Sequence, residues 1–230
     1  MQNHHPSIDD LTLYAAGGLK LSHALCIATH LEYCHECQQC VHKLEQVGSQ
    51  IFNQGTNDRF PDSNLDELRA SVFSQISAQR EPAKTSGKAE RKLFKRDSSN
   101  APRALKQFVP ENLEQLDWKR LSPSIKLATL CNDKDGSQLA LSWVKPGGRM
   151  PHHSHTGDEL TVVLEGSFSD EDGIYSKGDF ILRNAKHKHK PVVTKDAPCV
   201  CLMVLDSPIE FTGFFTRLLN PAIRRHHYQG

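Results

Sequence analysis

Apolar residues recur at helical spacing early in the chain and alternate in its second half. Ser7-Ile-Asp-Asp10 can cap a helix whose apolar positions are Ile8, Leu11, Leu13, Tyr14 and Ala15, ending at Gly17-Gly18. Ala24, Leu25, Ala28 and Leu31 then mark a second helix, and Val41, Leu44, Val47 and Ile51 a third. The run Asn53 to Asn64, with Gly55, Asn57, Asp58 and Pro61, breaks the pattern before a fourth stripe of Leu65, Leu68, Val72, Phe73 and Ile76. Such a stripe either closes on a core of its own chain or docks on a partner protein.

From about Ala78 large apolar residues nearly vanish, which predicts a linker over 78–104. Beyond it the period becomes two, in Ile125-Lys-Leu-Ala-Thr-Leu, Gln138-Leu-Ala-Leu-Ser-Trp-Val, Leu160-Thr-Val-Val-Leu, Asp179-Phe-Ile-Leu and Cys199-Val-Cys-Leu-Met-Val-Leu. Turn clusters such as Asp133-Lys-Asp-Gly136, Lys145-Pro-Gly-Gly148 and Asp170-Glu-Asp-Gly173 separate these runs. The pattern predicts a two-domain α+β chain: a small all-α domain over 1–77 and an all-β sandwich or small barrel over 105–220, with a disordered tail over 221–230. Cys199 and Cys201 would share one face of their strand as buried structural thiols.

With 230 residues the chain can bury two modest cores. Its 28 basic and 27 acidic residues give no global attraction to nucleic acid or to an anionic membrane. Basic residues outnumber acidic ones in the linker, but Phe94 is the only aromatic there, so a solvated tether is expected rather than a nucleic-acid surface. No run is long enough to span a bilayer and the N-terminus lacks a signal-peptide profile, which predicts a cytoplasmic protein. Seven cysteines, an odd number with one tight cluster, suit a reducing compartment and metal binding better than a disulfide framework.

That cluster is His30-Leu-Glu-Tyr-Cys34-His-Glu-Cys37. Read on one helix, His30 and Cys34 are four apart and Cys37 is seven from His30, so the imidazole and both thiols converge on one face. A closed structural zinc site needs a fourth ligand. The His4-His5 pair can swing back across the Gly17-Gly18 turn, and Cys40 competes locally. The order lacks the Cys-pair then His-pair pattern of DNA-binding fingers.

A second constellation follows Gly147-Gly148: His153 and His155 point the same way from an extended segment, Glu159 returns at the start of the next strand, and Gly166 lies at its far side. His189, after the Gly178-Asp179 turn, offers a fourth ligand, with His152 and His187 as neighbours. Three imidazoles and a carboxylate suit zinc, iron, manganese, nickel or copper.

Gly147, His153-x-His155, Glu159 and Gly166, followed by Gly178-Asp179 to His189, resemble the two motifs of the cupin superfamily, although Asn184-Ala-Lys stands where a proline-glycine turn is usual. His30-x-x-x-Cys34-x-x-Cys37, with an early histidine and Leu11-Thr-Leu-Tyr-Ala-Ala-Gly-Gly, resembles the zinc-binding anti-sigma domain. In this order the halves resemble the ChrR-type anti-sigma factors with a C-terminal cupin-like domain. The resemblance implies a cytoplasmic, non-enzymatic regulator that sequesters an extracytoplasmic-function (group IV) sigma factor. It implies zinc on His5, His30, Cys34 and Cys37, and zinc or another divalent metal on His153, His155, Glu159 and His189. It also implies release under oxidative stress such as singlet oxygen or organic hydroperoxide. Neither nucleic acid nor membrane is expected as a direct partner, and association of copies through the cupin domain is left open. The alternative from another class is a metal-dependent cupin dioxygenase with an accessory helical domain, because three His and one Glu leave coordination sites free.

Overall fold

The computed structural model describes residues 4–56, 65–78, 101–110, 113–213, 216–221 and 224–225. Most of the expected linker, the break after the third helix from residue 57 onward, and nearly all of the expected tail lie outside these residues. Four α-helices come first: α1 Ile8–Ala15, α2 Leu21–Leu31, α3 His35–Thr56 and α4 Leu65–Ala78. At the head of α1 the Ser7 side chain accepts from the Asp10 N–H and the Asp10 carboxylate accepts from the Ser7 N–H, so the predicted cap is a reciprocal capping box.

The second and third helices do not form one rod. The N–H groups of Tyr33 and Cys34 both donate to the His30 carbonyl, at 2.9 and 3.1 Å, and the chain turns through Glu32–Cys34 before α3 begins. The expected single helix through His30, Cys34 and Cys37 is therefore corrected to a helix end, a turn and a helix start. Cys34 stabilises that start, its Sγ accepting from the Cys37 N–H at 3.4 Å where the exposed N–H groups of α3 favour negative charge.

Twelve antiparallel strands follow among the described residues: β1 Lys119–Ser122, β2 Ile125–Asn132, β3 Gln138–Val144, β4 His153–Ser154, β5 Glu159–Glu165, β6 Ser167–Ser169, β7 Ile174–Ser176, β8 Phe180–Arg183, β9 Lys188–His189, β10 Val192–Val193, β11 Cys199–Leu205 and β12 Glu210–Phe211. They form a six-stranded sheet in the order β1-β2-β3-β11-β5-β8 and two three-stranded sheets, β10-β6-β7 and β12-β4-β9.

Every residue of β11 is buried, and the reason is two-sided cover. Val200, Leu202 and Val204 join a core with Leu11, Cys26, Ile27 and Val41 from the helices, whereas Cys199, Cys201, Met203 and Leu205 face a second core with Phe168, Tyr175 and Val193 from the smaller sheet. Strand β5 divides in the same way, with Leu160, Val162 and Leu164 toward the helices and Val163 toward the interior. Short helices alone offer too little apolar surface for a core, so the first helices and the strands share one. Residues 1–45 with 99–230 make one compact unit and 46–98 another. Leu105, just past the expected linker, is fully buried in the first unit, and the neighbouring Ala104 N–H donates to Glu32 Oε1 at 2.8 Å.

Gly166 is held where no other residue fits. Its φ is +71°, and a Cβ there would stand 2.2 Å from the Pro198 carbonyl oxygen. No helix among the described residues is long and apolar enough to cross a membrane.

Candidate metal centres

The helix end, the turn and the start of α3 bring His30, Cys34 and Cys37 together, and the extended N-terminal segment delivers His5 to them. Ligand atoms of these four side chains all lie within 4.8 Å of one another. His5 Nδ1 is 3.4 Å from both Cys34 Sγ and Cys37 Sγ, and His30 Nε2 is 3.4 Å from Cys37 Sγ. A tetrahedral zinc with ordinary bond lengths spaces its N and S ligands about 3.6 Å apart, so the set fits that ion closely. His4 does not enter the cluster; its ring rests against Tyr175 with centroids 4.7 Å apart. Cys40, half-buried one turn on, is not part of it either.

His30 is completely buried, and its Nδ1 is 2.7 Å from the carbonyl of Gly178. A carbonyl only accepts, so Nδ1 carries the proton and the Nε2 lone pair faces the thiols. Burial pushes His30 below its ordinary pKa, partly opposed by that carbonyl, and burial likewise pushes the Cys37 thiol up to about 12. Without a cation Cys37 is therefore a neutral thiol, and a metal filling the cluster displaces its proton.

The second cluster is assembled by strand pairing. His153 in β4 stands directly across from His189 in β9, and His155 follows two residues after His153. His189 Nε2 lies 3.0 Å from His153 Nε2 and 3.2 Å from His155 Nε2. The other nitrogens fix the tautomers: His153 Nδ1 donates to the Pro151 carbonyl at 2.9 Å, and His189 Nδ1 to Asp170 Oδ2 at 2.9 Å. Burial holds His153 and His155 down to about 4, so these rings are neutral near pH 7. The Nε2 lone pair of neutral His153 thus faces His189 Nε2 at 3.0 Å, an arrangement that a shared cation would satisfy. Such spacing suits imidazoles on one ion at ordinary metal–nitrogen distances.

Glu159 sits beside the triad rather than among the converging atoms. Its Oε1 accepts from the Thr161 hydroxyl at 3.1 Å, while the buried Oε2 is 3.3 Å from His155 Nδ1 and makes no hydrogen bond. A buried carboxylate oxygen without a hydrogen-bond partner in this position suits a fourth ligand to an ion. His152 contacts the Thr212 hydroxyl and His187 contacts Asn184, so neither of those neighbours joins the triad. Asn184 also performs the turn expected of proline and glycine: its Oδ1 accepts from the Lys186 N–H at 3.0 Å.

A small cavity of about 50 Å³ opens beside His153 and His189, walled by Val144, Met150, Phe168 and Val193 and by the thiols of Cys199 and Cys201. The two Sγ atoms are 3.6 Å apart.

Asp170 is the participant that sequence reading missed. It stands in the Asp170-Glu-Asp-Gly173 stretch, read there only as a turn. Burial alone would raise its carboxyl, but the bonds from His189 and from Arg183 NH2 outweigh that and hold it at about 2. It is an ionised anchor for His189.

Residues 107–208 match the family described as the ChrR Cupin-like domain. Over 223 residues, 96% of this chain and 98% of its relative, the sequence is 33% identical to the anti-sigma-E factor ChrR of Cereibacter sphaeroides. This chain belongs to the ChrR family of anti-sigma factors. The crystal structure of Rhodobacter sphaeroides SigE in complex with the anti-sigma ChrR contains a similar chain: 27% identity, a TM-score of 0.71, and coverage of 89% of this chain and 99% of that one. The ChrR likeness thus extends through the helices as well as the cupin-like strands.

Proposed function

We propose that this protein is a cytoplasmic anti-sigma factor that binds an extracytoplasmic-function (group IV) sigma factor and withholds it from RNA polymerase. The observation that carries the reading is the likeness, over nearly the whole chain, to a ChrR that was solved bound to SigE. The helical surface agrees with it. Val47, Ile51 and Phe52 on α3 and Leu68 and Val72 on α4 are exposed, in helices that otherwise would hide such side chains.

In this reading His5, His30, Cys34 and Cys37 hold a structural zinc that fixes α2 and α3 to the N-terminal segment. His153, His155 and His189, with Glu159 turning in, hold zinc or another divalent ion in the cupin-like part, which acts as the sensor. The signal is oxidative stress of the kind posed by singlet oxygen or an organic hydroperoxide. A cavity bordered by two imidazoles and two thiols suits a small oxidant.

Co-expression with candidate group IV sigma factors, followed by co-purification and metal analysis, tests the assignment. The expected result is a stoichiometric complex carrying zinc. Protein that retains no sigma factor and carries iron or nickel would favour the dioxygenase reading instead.

A further inference from the structure

Residues 174–180 carry the chain from β7 in a three-stranded sheet to β8 at the edge of the six-stranded sheet, yet they meet His4 and His30 at the N-terminal cluster. The Gly178 carbonyl takes the His30 Nδ1 proton at 2.7 Å, and the Phe180 ring meets the His30 ring edge-on with centroids 5.9 Å apart. The Phe180 N–H donates to the His4 carbonyl at 3.0 Å, and the Tyr175 ring lies against the His4 ring, immediately before His5. Hydrogen bonds hold this segment in place. Gly178 has φ +92°, its N–H donates to the Val163 carbonyl at 2.8 Å, and the fully buried Asp179 carboxylate accepts from the Ser176 N–H at 2.8 Å.

The same segment reaches the other cluster. The Tyr175 hydroxyl donates to Asp170 Oδ1 at 3.1 Å, and Asp170 Oδ2 holds His189 Nδ1. Arg183 NH2 braces both, 2.5 Å from the Tyr175 hydroxyl and 3.0 Å from Asp170 Oδ2. A chain of contacts therefore runs from His189 through Asp170 and Tyr175 to His4, next to His5, and three residues after Tyr175 the Gly178 carbonyl holds His30.

We propose that residues 174–180 orient the ligands of the N-terminal metal site, and that Asp170 and Tyr175 make metal retention there depend on whether the cupin site is filled. Partners that orient a ligating imidazole change metal affinity by roughly 10- to 100-fold when they are disturbed. A filled cupin site pins His189, and with it Asp170, in one position. An empty one leaves His189 free to turn and slackens the Tyr175 hydroxyl, and with it the ring that holds His4 beside His5. Asp170 and Tyr175 are positioning residues, acting on one metal site through the ligands of the other. The inference rests on reading both clusters as metal sites.

The test follows zinc loss from the N-terminal site alone, as the rate at which Cys34 and Cys37 become alkylated in excess chelator, resolved by peptide mass spectrometry on the full chain. Three proteins are compared: wild type with both sites filled, His153→Ala with the cupin site empty, and Tyr175→Phe. The last keeps the ring on His4 and every cupin ligand, so its metal content should equal that of wild type. Both variants are expected to expose the thiols about 10-fold faster than wild type, the lower bound for loss of an orienting partner. A wild-type rate in His153→Ala overturns the coupling without any appeal to Tyr175, and a wild-type rate in Tyr175→Phe overturns the route. Protein that purifies without metal at either cluster overturns the metal assignment itself, a separate failure that metal analysis reveals before any rate is measured.

Discussion

Replacing Cys37 with serine is expected to leave the protein one zinc short and unable to hold its sigma factor. Cys37 Sγ is 3.4 Å from both His5 Nδ1 and His30 Nε2, so it closes the cluster from the α3 side. Serine cannot supply a thiolate, and three remaining ligands make a leaky site. Structural zinc contributes on the order of 10 kcal/mol to small domains that depend on it. Losing even a quarter of that from the helices should weaken sigma binding by about 100-fold, roughly 2.8 kcal/mol. Calorimetric titration with the sigma factor, beside metal analysis, measures both effects. The barrel core on the β11 inner face, Cys199, Met203 and Leu205 with Phe168, lies apart from the cluster, so the cupin-like part should stay folded. Full zinc content and undiminished sigma binding in Cys37→Ser would remove the structural zinc from the account.

The second large effect is expected from His189→Ala. His189 is the centre of its triad, within 3.2 Å of both partner nitrogens, and it alone links the triad to Asp170. The variant should lose the cupin metal yet still bind sigma factor within about 2-fold in zinc-replete buffer, a change below 0.5 kcal/mol. Organic hydroperoxide, which the proposed sensing role expects to disperse the wild-type complex, should then release no additional sigma factor from the variant. Size-exclusion chromatography of the complex before and after treatment reads this directly. Normal oxidant-driven release from His189→Ala would move sensing to another part of the chain, with the Cys34 and Cys37 thiolates first in line.

Much of this arrangement is legible in the residues. The spacing of His30, Cys34 and Cys37 announces one cluster able to hold a metal, and the alternation His153-x-His155 announces another, because ligands must converge whatever the backbone does between them. The break at Glu32–Cys34 is not legible. No proline or glycine marks it, and the turn is held by the His30 carbonyl and by Cys34 acting as a cap. The choice between His4 and His5 is likewise undecided by adjacent identical residues; it is made by Tyr175, about 170 positions away, which takes the His4 ring. Strand β11 reads as a strand from its apolar run, but burial of both faces depends on helices from the opposite end of the sequence. Asp170 is hidden for a different reason. Aspartate in a turn is common, and only the tertiary meeting with His189 gives this one a role.

Run-off transcription with RNA polymerase and the purified group IV sigma factor tests the central claim most directly. The account predicts that the zinc-loaded protein, added at one equivalent to sigma factor, abolishes transcription from a sigma-dependent promoter, and that prior removal of its metal restores it. Undiminished transcription with a large excess of the zinc-loaded protein over every candidate sigma factor would contradict it.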